Sequence, residues 1–257
     1  MTGGSKAAGV LLDLGGVVYQ GDAMLPGSLD AVERLRAAGL PIRFITNTTR
    51  RSRERIMADL AGIGLSIRPE ELLTPSQIAV ALLRQRKLRP HLLVHPGLLD
   101  DFAGDFPGEG EAVVVGDAGE HFDYAGLNAA FRKLMDGAGF LALAANRYFA
   151  ESDGALSLDA GPFVRALEYA SGKTATVLGK PSPDFFRLAV ESMGCPVSRA
   201  VMFGDDAEAD VGGALAAGLK AVLVQTGKYR PGDETRLKVP PTHVAADLAA
   251  GVDWLLG

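Results

Sequence analysis

The sequence lacks the features that mark secreted, membrane-spanning and nucleic-acid-binding proteins. Cys195 is the only cysteine among 257 residues, so an intrachain disulfide is excluded and a reducing compartment fits best. No apolar run approaches the roughly 18 residues of a membrane-spanning helix, and residues 1–9 lack the apolar segment of a signal peptide. The 26 Lys and Arg are outnumbered by 31 Asp and Glu, which argues against a nucleic-acid partner. We therefore expect a cytoplasmic protein with neither a membrane nor a nucleic-acid partner.

Short apolar strands alternate with helical segments near both ends of the chain. Residues 9–14 and 42–45 are predicted strands, and a helix with apolar residues three apart is predicted over residues 26–38 between them. The predicted late elements are strand 176–178, helix 183–193, strand 200–203, helix 209–217 and strand 221–225. This alternation predicts an α/β fold with a doubly wound, Rossmann-like parallel sheet.

A middle segment carries strands and helices of its own. Its candidate strands cover residues 91–94, 112–115 and 140–144, and its candidate helices cover residues 77–85 and 124–136. We therefore predict two domains, a core formed by residues 1–71 and 174–257 and an inserted α/β domain formed by residues 72–173.

Four polar side chains each follow a predicted strand: Asp13, Thr46, Lys180 and Asp205. Because ligands bind at the carboxyl ends of strands in an open parallel sheet, we expect the four to converge at one edge. An acid nucleophile, a hydroxyl, an ammonium and a second acid suit phosphoryl transfer, in which positioning and charge neutralisation supply most of the catalysis. Asp13 and Asp205 are also suitable ligands for Mg²⁺.

The backbone near these side chains is suited to binding phosphate. Gly15 and Gly16 follow the first acid and let the main chain approach a ligand without a Cβ. We expect Thr46 and the N–H groups around Gly15, Gly16 and Asn47 to donate to the equatorial oxygens of a phosphoryl group.

These residues resemble the motifs of a known family. The motifs are Asp13-Leu14-Gly15-Gly16-Val17-Val18-Tyr19, Thr46-Asn47, Gly179-Lys180-Pro181 and Gly204-Asp205-Asp206 with Asp210. Together they resemble motifs I to IV of the haloacid dehalogenase superfamily, and the insertion between motifs II and III resembles its C2-capped branch. Further stretches, such as Thr226-Gly227-Lys228, are most similar to the phospholysine phosphohistidine inorganic pyrophosphate phosphatase group of that branch.

The resemblance implies roles for the motif residues. Asp13 is implied as the nucleophile that forms an aspartyl phosphate, and Thr46 and Lys180 are implied to orient the phosphoryl group. Mg²⁺ is the implied cofactor, with Asp13, the Gly15 carbonyl and Asp205 as its ligands. A small phosphorylated molecule or an exposed phosphoamino acid is the implied substrate, and a homodimer is the implied assembly.

The roles of three further residues are less direct. Asp210 is implied to act at the metal site, where it orients metal-bound waters or Lys180. The sequence alone also allows it to be the N-cap of the next helix. Arg147 and Tyr148 follow a strand candidate of the insertion and are candidates for contacting the substrate from this inserted domain. Taken separately, each is more typical of a surface loop.

The chain departs from the family pattern at Gly15. Most family phosphatases carry a second aspartate there as general acid and base, a role that typically contributes about a hundredfold to ten-thousandfold. Alkoxides leave poorly without a proton, whereas amine and imidazole nitrogens, phosphates and aryl or acyl oxygens leave more readily. We therefore predict a preference for P–N bonds, pyrophosphate or aryl and acyl phosphates. The alternative is a phosphate-binding or regulatory protein that has lost turnover.

Overall fold

A computed structural model describes residues 7–150 and 155–257 of the chain. The strands within them are β1 (Gly9–Asp13), β2 (Tyr19–Gln20), β3 (Ala23–Met24), β4 (Ile42–Ile45), β5 (Leu72–Leu73), β6 (Leu88–Leu93), β7 (Gly110–Val115), β8 (Gly139–Ala142), β9 (Tyr148–Ala150), β10 (Leu156–Leu158), β11 (Thr176–Val177), β12 (Ala200–Gly204), β13 (Lys220–Val224) and β14 (His243–Ala245). The α-helices are α1 (Ser28–Ala37), α2 (Arg53–Gly62), α3 (Pro75–Arg86), α4 (Tyr124–Met135), α5 (Ala160–Ser171), α6 (Pro183–Glu191), α7 (Gly213–Ala217) and α8 (Leu248–Leu256). Among the described residues, no helix is both long enough and apolar enough to cross a bilayer.

The larger sheet has six parallel strands in the order β14-β13-β12-β1-β4-β5. All five residues of β1 are buried, as expected for a strand inside a parallel sheet that is covered on both faces. Helices α1 and α8 pack together, and so do α6 and α7. The predicted α/β fold with a doubly wound parallel sheet is confirmed.

The chain forms two compact units. The first unit contains the chain up to Thr46, Met57–Leu73 and Lys180–Gly257, and the second contains Asn47–Ile56 and Thr74–Gly179. The predicted limits of the core, 1–71 and 174–257, and of the cap, 72–173, stay a prediction, because a division by contacts does not show which segments fold as domains.

The second unit is built on a four-stranded parallel sheet with the order β11-β8-β7-β6. Alternate residues of β7 point to opposite faces, so Val113 and Val115 join one apolar cluster while Ala112 and Val114 join the other. The first cluster includes residues of α4 and α5, and the second includes residues of α3. Each face of this sheet is therefore covered by helices.

The structure corrects two predicted elements. Strand 176–178 was placed with the late core strands, but β11 pairs with β8 in the sheet of the second unit. Helix 209–217 was predicted as one helix, but Ala207–Gly212 form a π-helical turn and α7 begins only at Gly213. Such turns are frequent at functional sites because they redirect a side chain that a regular helix would point elsewhere.

Other elements had no counterpart in the prediction. These are the β2–β3 and β9–β10 hairpins, strands β5 and β14, and helices α5 and α8. The missed strands have only two or three residues each, too few for an apolar alternation to show.

Candidate active site

Asp13 is the last residue of β1, which lies inside the six-stranded sheet. The chain turns sharply after it, because Gly16 has a φ of 83°, a value that side-chain-bearing residues rarely adopt. The Gly16 N–H donates to the Tyr19 carbonyl at 2.7 Å, and Tyr19 begins the β2–β3 hairpin. The buried Asp13 carboxylate is therefore followed at once by a tight turn, in which Gly15 is exposed and Gly16 is buried, and by a small hairpin.

Thr46 is next to Asp13 because their strands are neighbours. In the register of β1 with β4, Asp13 pairs with Ile45, and the buried Thr46 follows directly. Asn47 belongs to the second unit, where its Nδ2 donates to Asn146 Oδ1 at 3.4 Å. The two residues of this motif thus fall on either side of the boundary between the units.

Lys180 bridges two carboxylates in the first unit. Its Nζ lies 2.6 Å from Asp13 Oδ1 and 2.6 Å from Asp210 Oδ1, and its side chain is only 4% exposed. Burial alone would lower the pKa of Lys180, but the charges and hydrogen bonds of Asp13 and Asp210 outweigh it and raise this pKa above the usual value. Lys180 is therefore a fixed positive charge beside Asp13.

Three buried aspartates form one acidic cluster. One carboxylate oxygen from each of Asp13, Asp205 and Asp210 lies within 4.8 Å of the others. Burial and the neighbouring carboxylates of Asp13 and Asp210 raise the pKa of Asp205 to about 8. The pKa of Asp210 rises to about 7, mainly through burial, although Lys180 opposes the rise. Each added negative charge is costly here, so the cluster favours a proton or a cation.

The Asp205 carboxylate fits a divalent metal ion. Its Oδ2 accepts a hydrogen bond from the Lys228 N–H at 2.7 Å, whereas its Oδ1 is buried with no hydrogen-bond partner among the described residues. Buried polar atoms are normally hydrogen-bonded, so an unpartnered carboxylate oxygen in an acidic cluster is suited to bind a cation when its proton has left. Hard oxygen ligands of this kind are those that Mg²⁺ prefers.

Glycines allow the carboxylates to pack closely against the backbone. A Cβ at Gly16 or Gly227 would overlap Asp205 Oδ2, and a Cβ at Gly204 would overlap the Asp210 side chain. At Gly15 the opposite holds, because an added Cβ meets no atom of the described residues within 4 Å and the backbone does not have a positive φ. The position of the missing family aspartate is therefore open space.

Asp206 and Asp210, which are four residues apart in sequence, have different roles. The Asp206 side chain caps the π-helical turn by accepting from the N–H groups of Glu208 and Ala209 at 3.1 and 2.9 Å. Asp210 lies inside that turn and pairs with Lys180. The interpretation of Asp210 as an N-cap is therefore wrong, because Asp206 occupies the capping position.

Arg147 and Tyr148 lie in the second unit at the start of β9, and both are exposed. They line a cavity of about 540 Å³ together with Leu158 and residues of α5. The structure thus brings Asp13, Thr46, Lys180, Asp205 and Asp210 together in the first unit, while Asn47, Arg147 and Tyr148 are in the second.

The loop after β13 also reaches the acidic cluster, and sequence reasoning gave it no role. Thr226 donates to the Gly16 carbonyl, and the Lys228 N–H donates to Asp205. The position of this loop could have indicated a role, because β13 is a parallel strand of the same sheet and its loop leaves from the same edge.

The fold and the site define a hydrolase with a doubly wound core. Residues 10–105 match the model of the haloacid dehalogenase-like hydrolases, and residues 177–251 match the HAD-hydrolase-like model. The chain belongs to the haloacid dehalogenase-like hydrolase family. The resemblance inferred from the motifs is thereby confirmed.

Two curated relatives and one solved structure illustrate the similarity. The phospholysine phosphohistidine inorganic pyrophosphate phosphatase of Xenopus laevis is 44% identical over 254 residues, which cover 96% of this chain and 94% of that protein. The haloacid dehalogenase-like hydrolase domain-containing protein 2 of Homo sapiens is 44% identical over 247 residues, covering 96% and 95%. The glycerol phosphate phosphatase of Mycobacterium tuberculosis, solved in complex with magnesium, superposes with a TM-score of 0.83 at 26% identity, covering 95% of this chain and 76% of that one.

Proposed function

We propose that this protein is a Mg²⁺-dependent phosphatase that acts on small phosphorylated compounds through an aspartyl phosphate on Asp13. The observation that carries the proposal is the buried cluster in which Lys180 contacts Asp13 while Asp205 keeps an unpartnered oxygen. A fixed cation and an acidic cluster that requires a cation are the two parts needed to hold a phosphoryl group beside a carboxylate nucleophile.

In the first step, an Asp13 carboxylate oxygen attacks phosphorus while the bond from phosphorus to the leaving group breaks. The Lys180 ammonium, 2.6 Å from Asp13 Oδ1, orients the nucleophile and shares the charge of the phosphoryl oxygens. The Thr46 hydroxyl and the N–H groups around Gly15, Gly16 and Asn47 are the proposed donors to those oxygens.

In the second step, water attacks the phosphorus of the aspartyl phosphate. The bond between Asp13 and phosphorus breaks, the carboxylate is regenerated, and both water protons leave on the inorganic phosphate. Bound Mg²⁺ supplies positive charge that neutralises the phosphoryl oxygens. Asp13, Asp205, Asp210 and the carbonyl of Gly15 are the residues proposed to hold it.

The proposed substrates are those with good leaving groups. Gly15 provides no carboxylic acid that could protonate a departing alkoxide, and no side chain in the described part of the chain lies within 4 Å of where its Cβ would be. P–N bonds, pyrophosphate and aryl or acyl phosphates depend least on such a proton. The Xenopus laevis relative supports this choice, since it is named for phospholysine, phosphohistidine and inorganic pyrophosphate.

Three further features complete the proposal. Asn47, Arg147 and Tyr148 are proposed to contact the substrate from the second unit. A homodimer in the cytoplasm is the proposed state, and the single cysteine supports that compartment.

An assay of phosphate-ester turnover distinguishes the enzyme from the phosphate-binding alternative. We expect the purified protein to hydrolyse 4-nitrophenyl phosphate with Mg²⁺ and to lose this turnover with excess chelator. The absence of turnover with 4-nitrophenyl phosphate, pyrophosphate and phosphohistidine would contradict the enzyme and support the binder. The phosphatase names of the relatives do not favour that alternative.

A further inference from the structure

The loop after β13 contacts two parts of the acidic site. The Thr226 hydroxyl donates to the carbonyl of Gly16 at 2.5 Å, and the Lys228 N–H donates to Asp205 Oδ2 at 2.7 Å. The Tyr229 N–H donates back to the Thr226 carbonyl at 3.1 Å, which closes a tight turn over these residues. The loop therefore joins the turn after Asp13 to the acid that follows β12.

This contact places the two oxygens of Asp205 in different surroundings. Oδ2 accepts a hydrogen bond from the Lys228 N–H, and Oδ1 is buried without a hydrogen bond to any residue within 7–150 and 155–257. Gly16 and Gly227 lie against the carboxylate so closely that a Cβ on either would overlap Oδ2. The carboxylate is thus restrained by backbone on the Oδ2 side, and only Oδ1 is left for a cation.

We propose that Thr226 and the Lys228 N–H are positioning groups that orient Asp205 for Mg²⁺. This inference rests on the metal site of the proposed function. The Lys228 N–H fixes the rotation of the carboxylate, and Thr226 holds the loop against Gly16, so that the loop and the turn after Asp13 keep their spacing. Hydrogen bonds to metal-binding carboxylates orient them, and losing one typically lowers metal affinity roughly 10–100-fold.

Each group has a matched pair of variants. Thr226→Val keeps the shape of the side chain but removes the hydroxyl, whereas Thr226→Ser keeps the hydroxyl. Lys228→Pro removes the N–H that Asp205 accepts, whereas Lys228→Ala removes only the exposed side chain, whose Nζ lies 3.5 Å from Asp206 Oδ2.

The test is Mg²⁺ affinity measured by calorimetry on the purified, substrate-free protein, with the melting temperature without Mg²⁺ as a measure of folding. We expect Lys228→Pro to bind Mg²⁺ roughly 10–100-fold more weakly than the wild type. Thr226→Val should bind more weakly than Thr226→Ser, because it frees the loop from Gly16. Thr226→Ser should bind close to the wild-type value. Lys228→Ala should bind at least as tightly as the wild type, because it keeps the N–H and removes a positive charge that acts on Asp205. A loop that only stabilised the fold would lower the melting temperature and leave the affinity of the folded protein unchanged.

The outcomes separate this inference from the proposed function. If the wild type binds no Mg²⁺, the proposed metal site itself fails. If the wild type binds Mg²⁺, Asp205→Asn does not, and Thr226→Val binds as tightly as Thr226→Ser, the positioning role is overturned while the metal site stands. Should Lys228→Pro fail to fold, the Thr226 pair decides the question alone.

Discussion

Both units bury aspartates, but the two units surround them differently. In the second unit, Asp117 accepts from Arg50 Nε at 2.6 Å and from the Gly119 N–H at 3.0 Å, so its carboxylate is held by a cation and by backbone. In the first unit, Asp205 keeps a buried oxygen that no described residue hydrogen-bonds, and burial together with neighbouring carboxylates raises its pKa to about 8. A buried acid that is fully bonded indicates structure, whereas one that is crowded by other acids and left incomplete indicates a site.

The difference between the two units is tested most directly by removing one acid from each. Asp13→Asn should lower turnover of 4-nitrophenyl phosphate on the order of 10⁴-fold or more, because it removes the proposed nucleophile. Asp117→Asn should leave turnover of the folded protein near the wild-type value, yet lower the free energy of unfolding by about 1–3 kcal/mol through lost hydrogen bonds. Steady-state kinetics and denaturant titration of both variants check this. Equal losses of activity would contradict the distinction between the two acids.

Gly15→Asp adds an acid to the first unit and tests whether that unit lacks a general acid. The space beside Gly15 is open and its backbone accepts a side chain, so the variant is expected to fold. We expect hydrolysis of an alkyl phosphate to rise at least about tenfold, since general acid catalysis contributes about 10²–10⁴-fold where it operates. Hydrolysis of pyrophosphate should change less. Rates measured on both substrates decide the matter, and equal changes on both would contradict the leaving-group argument.

A third prediction concerns pH. Because the pKa of Asp205 is raised to about 8 and that of Asp210 to about 7, the folded protein without metal favours their protonated forms more than the unfolded chain does. This contribution to stability is fully present below about pH 4, the ordinary pKa of an aspartate. It is lost progressively as the pH rises from there to the raised values of about 7 to 8. Mg²⁺ replaces the protons, so the increase in melting temperature that Mg²⁺ produces should grow from about pH 6 to about pH 9.

Asp205→Asn is the matched control for that measurement and has the smallest expected effect on stability. It should abolish most of the Mg²⁺-induced shift and raise the melting temperature of the metal-free protein at about pH 8.5 by a few degrees, corresponding to roughly 1–2 kcal/mol. Differential scanning fluorimetry at both ends of the pH range suffices. A Mg²⁺-induced shift that is the same at both pH values in the wild type would refute the role assigned to the raised pKa values.

The fold and most of the site could be predicted from strand ends. Asp13 ends one strand of a parallel sheet, Thr46 and Asp205 directly follow two others, and side chains at the carboxyl ends of such strands lie together. Lys180 reaches the same cluster by another route, since the strand before it, β11, belongs to the sheet of the second unit. The expectation that Lys180 joins the cluster is therefore met, but the end of a core strand is not what places it there.

Other features depended on contacts between distant parts of the chain. Thr226 and Gly16 are 210 residues apart in sequence, and no local pattern indicates that the hydroxyl of one meets the carbonyl of the other. Asp206 and Asp210 both suit a helix cap, and only the π-helical turn decides which one does so. Sequence periodicity predicts elements, whereas these details depend on how the turn residues are hydrogen-bonded.

The place of β1 inside the six-stranded sheet affects how the protein responds to heat. The amides of Leu11 and Leu12 belong to a strand with a neighbour on both sides, so their exchange with deuterium should require opening of the whole sheet. Asp13 is carried by this strand and stays in place while peripheral segments fray. Thermal inactivation should therefore follow the cooperative loss of the sheet, with no early phase in which the nucleophile alone is displaced.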